Sequence, residues 1–473
     1  MEALLRWAAE LGVSDSPPPP FPSSASADAS SSSPSSCIGR SLVVADFPNA
    51  GGRSLAAARD LRRGELVLRV PRAALLTSDR VMADDPRVAA FVSAHRHHLS
   101  AVQILIVCLL AEVEKGRNSV WYTYLSQLPS YYTVLATFND FEVEALQVDD
   151  AIWVAQKATS AIKSDWEDAT PLMKELDFKP KLLMFKSWIW AFATVSSRTL
   201  HIEWDEAGCL CPVGDLFNYA APDDTSFEED DIPEAERLTD GGYEDSNAYC
   251  LYARKNYKKG EQVLLGYGTY TNLELLEHYG FLLSENPNEK TFIQLDVDIC
   301  SIGTWPRDSL YIHPNGLPSF ALLCALRLWA TPVNRRKAVS HQIYSGSMLS
   351  TENEMEIMKW LISKCEGTLQ QLPTPVEFDE SLLVFLHKIQ NSTNCRTDLK
   401  QSGFEQEFAV FLRFHRLELD CSDNSQFPVR ILRSLERWEL AVQWRCNYKK
   451  TLKKCISYCE SLVHELSLQL NKQ

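Results

Sequence analysis

The stretch Gly266-Tyr267-Gly268-Thr269-Tyr270-Thr271-Asn272-Leu273-Glu274-Leu275-Leu276-Glu277-His278-Tyr279-Gly280-Phe281 carries more information than any other part of this chain. It follows the apolar run Gln262-Val263-Leu264-Leu265, which reads as a strand, and it continues into a short helix over Asn272–His278. Glycines on both sides of Tyr267 let the backbone turn sharply and aim the phenol inward. Upstream stands a second segment, Gly214-Asp215-Leu216-Phe217-Asn218-Tyr219. Between them the two segments hold an Asp, an Asn, several Tyr and a Phe beside glycines. They contain no metal cluster, no nucleophilic Cys/His pair and no phosphate-binding loop. Such a polar-aromatic set suits the passage of a neutral group along a narrow channel.

The rest of the chain narrows the function further. At 473 residues it is too long for one ordinary core. A net charge of −15 argues against a nucleic-acid binder that works through a broad basic face. Thirteen cysteines are scattered without a disulfide framework. Cys108, Cys324 and Cys365 lie in apolar helical stretches, as reduced buried thiols would in a reducing compartment. Cys209-x-Cys211 and Cys455-x3-Cys459 lack neighbouring Cys/His pairs at zinc spacing, so no metal is expected. No apolar run reaches transmembrane length. Met1 to Gly12 forms an amphipathic helix with Leu4, Leu5, Trp7, Ala8 and Leu11 on one stripe. Two early acids, Glu2 and Glu10, argue against a secretory or transit signal, and the cytoplasm or nucleus is the expected location. The Ser/Pro-rich sequence that follows leaves a plastid address open.

The pattern along the chain is α+β. A helix over 1–13 precedes a Pro/Ser-rich linker over 14–40. Short β-type runs over 41–80, broken by Gly51-Gly52 and Arg63-Gly64, predict a small meander. Residues 81–195 read as a helical insert, in which Lys181 to Val195 is apolar nearly all round and should be buried. Strands and loops return over 196–300, and 301–473 is mostly helical. Glu228-Glu229-Asp230-Asp231, continuing to Glu244-Asp245, reads as a solvated acidic loop.

The two central segments resemble the C-terminal motifs of SET-domain protein methyltransferases, in the group typified by the Rubisco large-subunit lysine methyltransferase. The order of parts is similar as well: a β-rich SET core with a helical insert, then a helical domain that helps hold a protein substrate. The resemblance implies S-adenosylmethionine as the methyl donor and a lysine side chain as acceptor, with histidine as an alternative. The expected partner is a protein substrate, with neither nucleic acid nor membrane, and the expected state is a monomer. By the same resemblance Tyr267 is the catalytic tyrosine, and Asp215, Tyr267 and Tyr279 line the substrate channel. Gly51, Gly52, Arg53, Arg198, Asn218, Tyr219 and Phe281 would bind the donor. In that set Arg198 meets the donor's carboxylate and Phe281 packs on its adenine.

This sequence departs from the family pattern at two points. Tyr219 stands where His is usual, and Ser54 replaces a glycine. Both favour the competing reading, a non-catalytic SET-fold scaffold that binds a partner through its helical third. Donor binding separates the two readings. Tyr219→His should leave activity equal or higher, and a clear loss would mean that the pocket is built around tyrosine.

Overall fold

A computed structural model describes residues 1–16, 36–48, 51–221, 247–302, 305–390, 403–417 and 427–470. The centre of the expected linker and the acidic loop at Glu228–Asp231 and Glu244–Asp245 lie outside these residues. The chain divides into two compact units. The first comprises Met1–Thr137, Ala158–Thr269 and His278–Gly280; the second comprises Phe138–Lys157, Tyr270–Glu277 and Phe281–Gln473. This division cuts across the boundaries read from the sequence. Part of the helical insert, 138–157, and most of 270–300 pack with the C-terminal helices.

In the first unit the amphipathic helix Glu2–Glu10 buries Leu4 and Ala8. The ends of the linker are held more firmly than its composition predicts. Ser14 and Arg69 exchange backbone hydrogen bonds of 3.0 and 2.8 Å. The buried Asp15 carboxylate accepts from four successive backbone N–H groups, those of Gly39, Arg40, Ser41 and Leu42, at 2.7–3.1 Å. One acid thus satisfies four donors that a turn would otherwise leave without partners.

Strands β1 (Leu42–Phe47) and β2 (Gly52–Ala57) form an antiparallel hairpin. The expected meander stops there. Strand β3 (Leu66–Pro71) pairs with the distant Ala248–Tyr252, not with β2. The reason is competition for an edge. The free side of β2 is taken by residues 261–263, with Ala57 N–H on Glu261 C=O and Val263 N–H on Leu55 C=O, both 2.9 Å. Strands β4 (Thr199–Ile202) and β5 (Asp205–Leu210) make another antiparallel pair.

Two helices back this framework. Ala101–Lys115 starts at a capping box of Ser100 and Gln103 and buries ten consecutive residues from Gln103 to Glu112. Phe185–Arg198 buries Trp188, Ala191 and Ala193–Val195 but leaves Trp190 only half-buried, so it is buried on one face, not all round.

The second unit is helical. Helices Phe320–Trp329, Thr351–Gln371, Val376–Gln390 and the 42-residue Val429–Leu470 follow the apolar spacing of the sequence. Leu322, Ile357, Leu361, Cys365, Leu452 and Cys455 share one core. Two buried ionic groups tie 138–157 to the long helix. Glu142 takes both Arg437 Nε at 2.6 Å and Nη2 at 3.0 Å. Arg445 Nη1 donates to Ala145 C=O at 2.6 Å. Among the described residues no helix is long and apolar enough to cross a membrane, and no group of three or more His, Cys, Asp or Glu is placed to hold a metal ion.

Candidate active site

Within the first unit, the end of the first segment pairs in parallel with the strand that leads into the second. β6 (Asn218–Tyr219) pairs with β8 (Leu264–Leu265), Asn218 opposite Leu264 and Tyr219 opposite Leu265 (β7 being Ala248–Tyr252). The ladder is extended by Ala220 N–H on Leu265 C=O at 3.0 Å. The pairing joins residues distant along the chain, so the crossing is a tertiary product and not a hairpin.

Three aromatic rings gather at this crossing. The Tyr267 ring centroid lies 5.3 Å from that of Tyr219 and 5.2 Å from that of Tyr279. The Tyr267 hydroxyl donates to the carbonyl of Phe217, one residue before Asn218. The Tyr219 hydroxyl donates to the carbonyl of Gly268 at 2.8 Å, one residue after Tyr267. Burial pushes the Tyr267 phenol above its usual range, with Arg198 pulling the other way, so the phenol is neutral at physiological pH.

Below the rings lies a polar cluster. The Asp215 carboxylate, whose side chain is 3% exposed, accepts from Arg198 Nη1 and from the Tyr124 hydroxyl, both 2.9 Å. Arg198 Nη1 also reaches the Asp215 carbonyl at 3.2 Å. Thr194 Oγ1 donates to the Tyr132 hydroxyl at 3.0 Å. Burial raises the Tyr124 phenol well above its usual range, and the Asp215 charge beside it adds to this. The sequence places Asp215 on the channel and Arg198 on the donor; in the structure each is first the other's partner. Arg198 keeps one group in reserve, a buried Nε without a hydrogen-bond partner among the described residues.

The remaining candidates divide by position. Gly51 has φ +88°, and a Cβ built there would stand 2.5 Å from Asn218 Nδ2. A bare backbone edge therefore meets the Asn218 amide, which brings the N-terminal block to β6. Gly52 follows at φ +70° and begins β2. Arg53 is exposed, while Ser54 is fully buried with its hydroxyl unpartnered among the described residues. Tyr279 and Gly280 belong to the first unit: Ser196 Oγ donates to His278 C=O at 3.1 Å and Thr133 Oγ1 to Gly280 C=O at 2.7 Å. Phe281 is half-buried and belongs to the second unit.

Sequence reasoning missed Tyr124, Tyr132 and Thr133. The only signal for them is the Tyr-rich run from Tyr122 to Thr133 inside the helical insert.

In the second unit the start of the motif helix is fixed by its own chemistry. Thr271 Oγ1 accepts from Glu274 N–H at 3.3 Å, and Glu274 Oε2 accepts from Thr271 N–H at 2.7 Å, a capping box. Asn272 is structural. Its amide exchanges bonds with the Leu283 backbone at 3.0 and 2.9 Å, and its N–H donates to Glu289 Oε2 at 3.0 Å.

Burial pushes the Glu289 carboxyl up to about 7, against backbone donors that pull it down. The folded state therefore holds this proton more tightly than the unfolded chain. Stability from this group is fullest below the unfolded value near 4.5 and is lost as pH rises through about 7. Glu289→Gln should flatten the stability curve between these limits, removing a slope worth at most about 3 kcal/mol across the window. Urea unfolding at pH 5 and pH 8 measures it; an unchanged slope in the variant rules Glu289 out as its source.

Comparison with known proteins bears on the fold and the family. Residues 273–385 match the family model described as the Rubisco LSMT substrate-binding domain. A solved structure of Rubisco LSMT bound to sinefungin and monomethyllysine has the same fold, with a TM-score of 0.58 at 18% identity over 98% of this chain and 91% of that one. The actin-histidine N-methyltransferase of Xenopus tropicalis is 25% identical over 72% of this chain and 61% of its own length. Protein SET DOMAIN GROUP 40 of Arabidopsis thaliana is 50% identical over 98% of this chain and 96% of its own length. With half its residues shared across almost the full length of a SET-domain protein, and with its first central motif paired in parallel to the strand that leads into the second, this chain belongs to the SET-domain family, in the group built like the Rubisco large-subunit methyltransferase.

Proposed function

We propose that the protein is an S-adenosylmethionine-dependent methyltransferase that modifies a lysine side chain of a protein substrate. The observation that carries this reading is the convergence of Tyr267, Tyr279, Asn218 and Gly51 on one crossing in the first unit. The residues present fit such a donor. The Gly51 edge and the Asn218 amide supply close-approach backbone and a group that both donates and accepts. The unpartnered Arg198 Nε is a cation-borne donor for a carboxylate.

The bound donor supplies a methyl on a sulfonium centre, and the protein's own residues do the rest. Tyr267 and Tyr279 wall the path and exclude water. The Tyr267 hydroxyl spends its proton on Phe217, so its remaining lone pairs are free to orient an amine or a polarised methyl. A lysine ammonium in this apolar setting is pushed toward its neutral form, which removes the need for a strong base. Alignment of the reacting atoms then supplies most of the acceleration.

The monomethyllysine bound in the Rubisco LSMT structure supports lysine as acceptor, while the similarity to actin-histidine N-methyltransferases supports histidine. The helical segment 273–385 supports a protein, not a free amino acid, as substrate. The buried free thiols, Cys108 and Cys365 among them, fit a reducing compartment such as cytosol or nucleus.

Transfer of labelled methyl into a protein extract, with the acceptor mapped by mass spectrometry, tests the reading. Label on lysine is the expected result, and label on histidine alone replaces the acceptor. The absence of both label and saturable donor binding leaves a scaffold. Asn218→Ala should weaken donor binding about tenfold, since a lost hydrogen bond at a binding site costs about 1.4 kcal/mol. Unchanged affinity by calorimetry removes Asn218 from the donor site.

A further inference from the structure

We infer that Tyr219 is a positioning residue that fixes Tyr267 through a crossed pair of phenol–carbonyl hydrogen bonds, a task histidine at this position cannot perform. The inference rests on the methyltransferase reading and names how that site is held. The Tyr267 hydroxyl bonds the carbonyl of residue 217, and the Tyr219 hydroxyl bonds the carbonyl of residue 268. Each motif therefore grips the other's backbone one or two residues from its own tyrosine. The two rings pack at 5.3 Å between these bonds.

Such a grip is needed because the backbone ladder is short. β6 and β8 pair over two residues each. Beyond Leu265 the chain passes through Gly266 and Gly268, and Gly268 adopts φ +122°. A glycine in that region is a soft joint on the C-terminal side of Tyr267. The hydroxyl of Tyr219, a residue only 7% exposed, pins the carbonyl of that joint. On the other side, β6 is steadied by Arg254 Nη1, 3.5 Å from Ala220 C=O. An imidazole on the same Cα ends about 2 Å short of a phenol oxygen, so histidine does not reach Gly268. This reverses the sequence expectation that Tyr219→His is neutral or beneficial.

Tyr219→Phe keeps the ring and deletes the bond. Methyl transfer should fall about 10- to 100-fold, the scale of a displacement near 1 Å in a reacting group. Donor affinity should stay within about threefold, because the lost bond holds Tyr267 and not the donor. Tyr219→His should lose as much or more. If Tyr219 acts through Tyr267, the Tyr219→Phe/Tyr267→Phe double variant is no slower than Tyr267→Phe alone. A packing role would instead lower stability, binding and transfer together. Wild-type rates in Tyr219→Phe or Tyr219→His, or additive losses in the double variant, overturn the inference.

Amide hydrogen exchange supplies a test independent of activity. Residues 266–270 should exchange about tenfold faster in Tyr219→Phe while the urea midpoint shifts only slightly, and equal protection there overturns the inference. This arm reads the lock even if the wild-type protein methylates nothing, in which case the functional reading alone falls.

Discussion

Asp379→Ala should lower the unfolding stability by about 3–5 kcal/mol, the usual consequence of removing one partner from a buried ion pair. Asp379 is fully buried and faces two cations. Its Oδ1 accepts from Arg445 Nε and Nη2 at 3.1 and 2.7 Å, and its Oδ2 from Lys449 Nζ at 2.6 Å. The partners' side chains are only 4% and 1% exposed. Lys449 Nζ also donates to Gln147 Oε1 at 2.8 Å and to Thr374 C=O at 2.7 Å. Arg445 reaches Ala145, so the same cluster fastens 138–157 within the helical unit. Without the carboxylate, two positive charges remain in a site that water does not reach.

The loss has a pH signature. Burial already holds the Lys449 ammonium below its usual range, and Asp379 is the group that pulls it back up. In the variant that pull is gone, so the folded state favours neutral lysine more strongly. The unfolded chain then binds more protons between the depressed folded value and about 10.5, and stability rises with pH across that window. Denaturant unfolding at pH 6.5 and pH 9 should show the variant recovering part of its deficit at the higher pH. The Asp379→Ala/Lys449→Met double variant should recover more still, because it removes one orphaned charge. A deficit under 1 kcal/mol at pH 6.5 rules out the cluster as a major source of stability.

That cluster also shows where reading the sequence stops. Helix positions in the C-terminal third were legible because apolar spacing reports the buried face directly. Asp379, Arg445, Lys449 and Glu142 look like ordinary solvated charges in the sequence, and nothing local reveals that they are buried together. Periodicity likewise cannot say which unit 138–157 packs against. Strand pairing was legible only for the β1–β2 hairpin, where the partners are adjacent. The edge that excluded β3 from the meander is occupied by residues some 200 positions on.

The site was half legible for a related reason. Side chains of unusual type, such as Tyr267 and Asn218, stand out in a one-dimensional pattern. The hydrogen-bond partners of the Tyr267 and Tyr219 hydroxyls are backbone carbonyls, at Phe217 and Gly268, which every residue carries and no motif marks. Arg198 and Asp215 each stand out in the sequence, yet nothing local marks them as one another's partner.

Tyr267→Phe should reduce methyl transfer by about 10²- to 10³-fold, the loss seen when one oriented polar group is deleted from a reacting centre. The ring survives, so the wall against Tyr219 and Tyr279 remains. What disappears is the oxygen and its bond to Phe217. One such bond contributes about 1 kcal/mol to folding, so the variant stays folded, and calorimetry should show near-normal donor affinity. The split between rate and binding matters, because an oxygen that aligns the amine acts mainly in the transition state. The phenol is also neutral across the physiological range, since burial raises it further from titration. In the proposed mechanism it serves as an oriented oxygen and not as a base. The pH–rate profile of the variant should keep the wild-type shape at a lower height, because its limbs report the acceptor nitrogen and not residue 267. A limb that moves or vanishes in the variant would make Tyr267 the proton acceptor, and full activity would remove it from the chemistry.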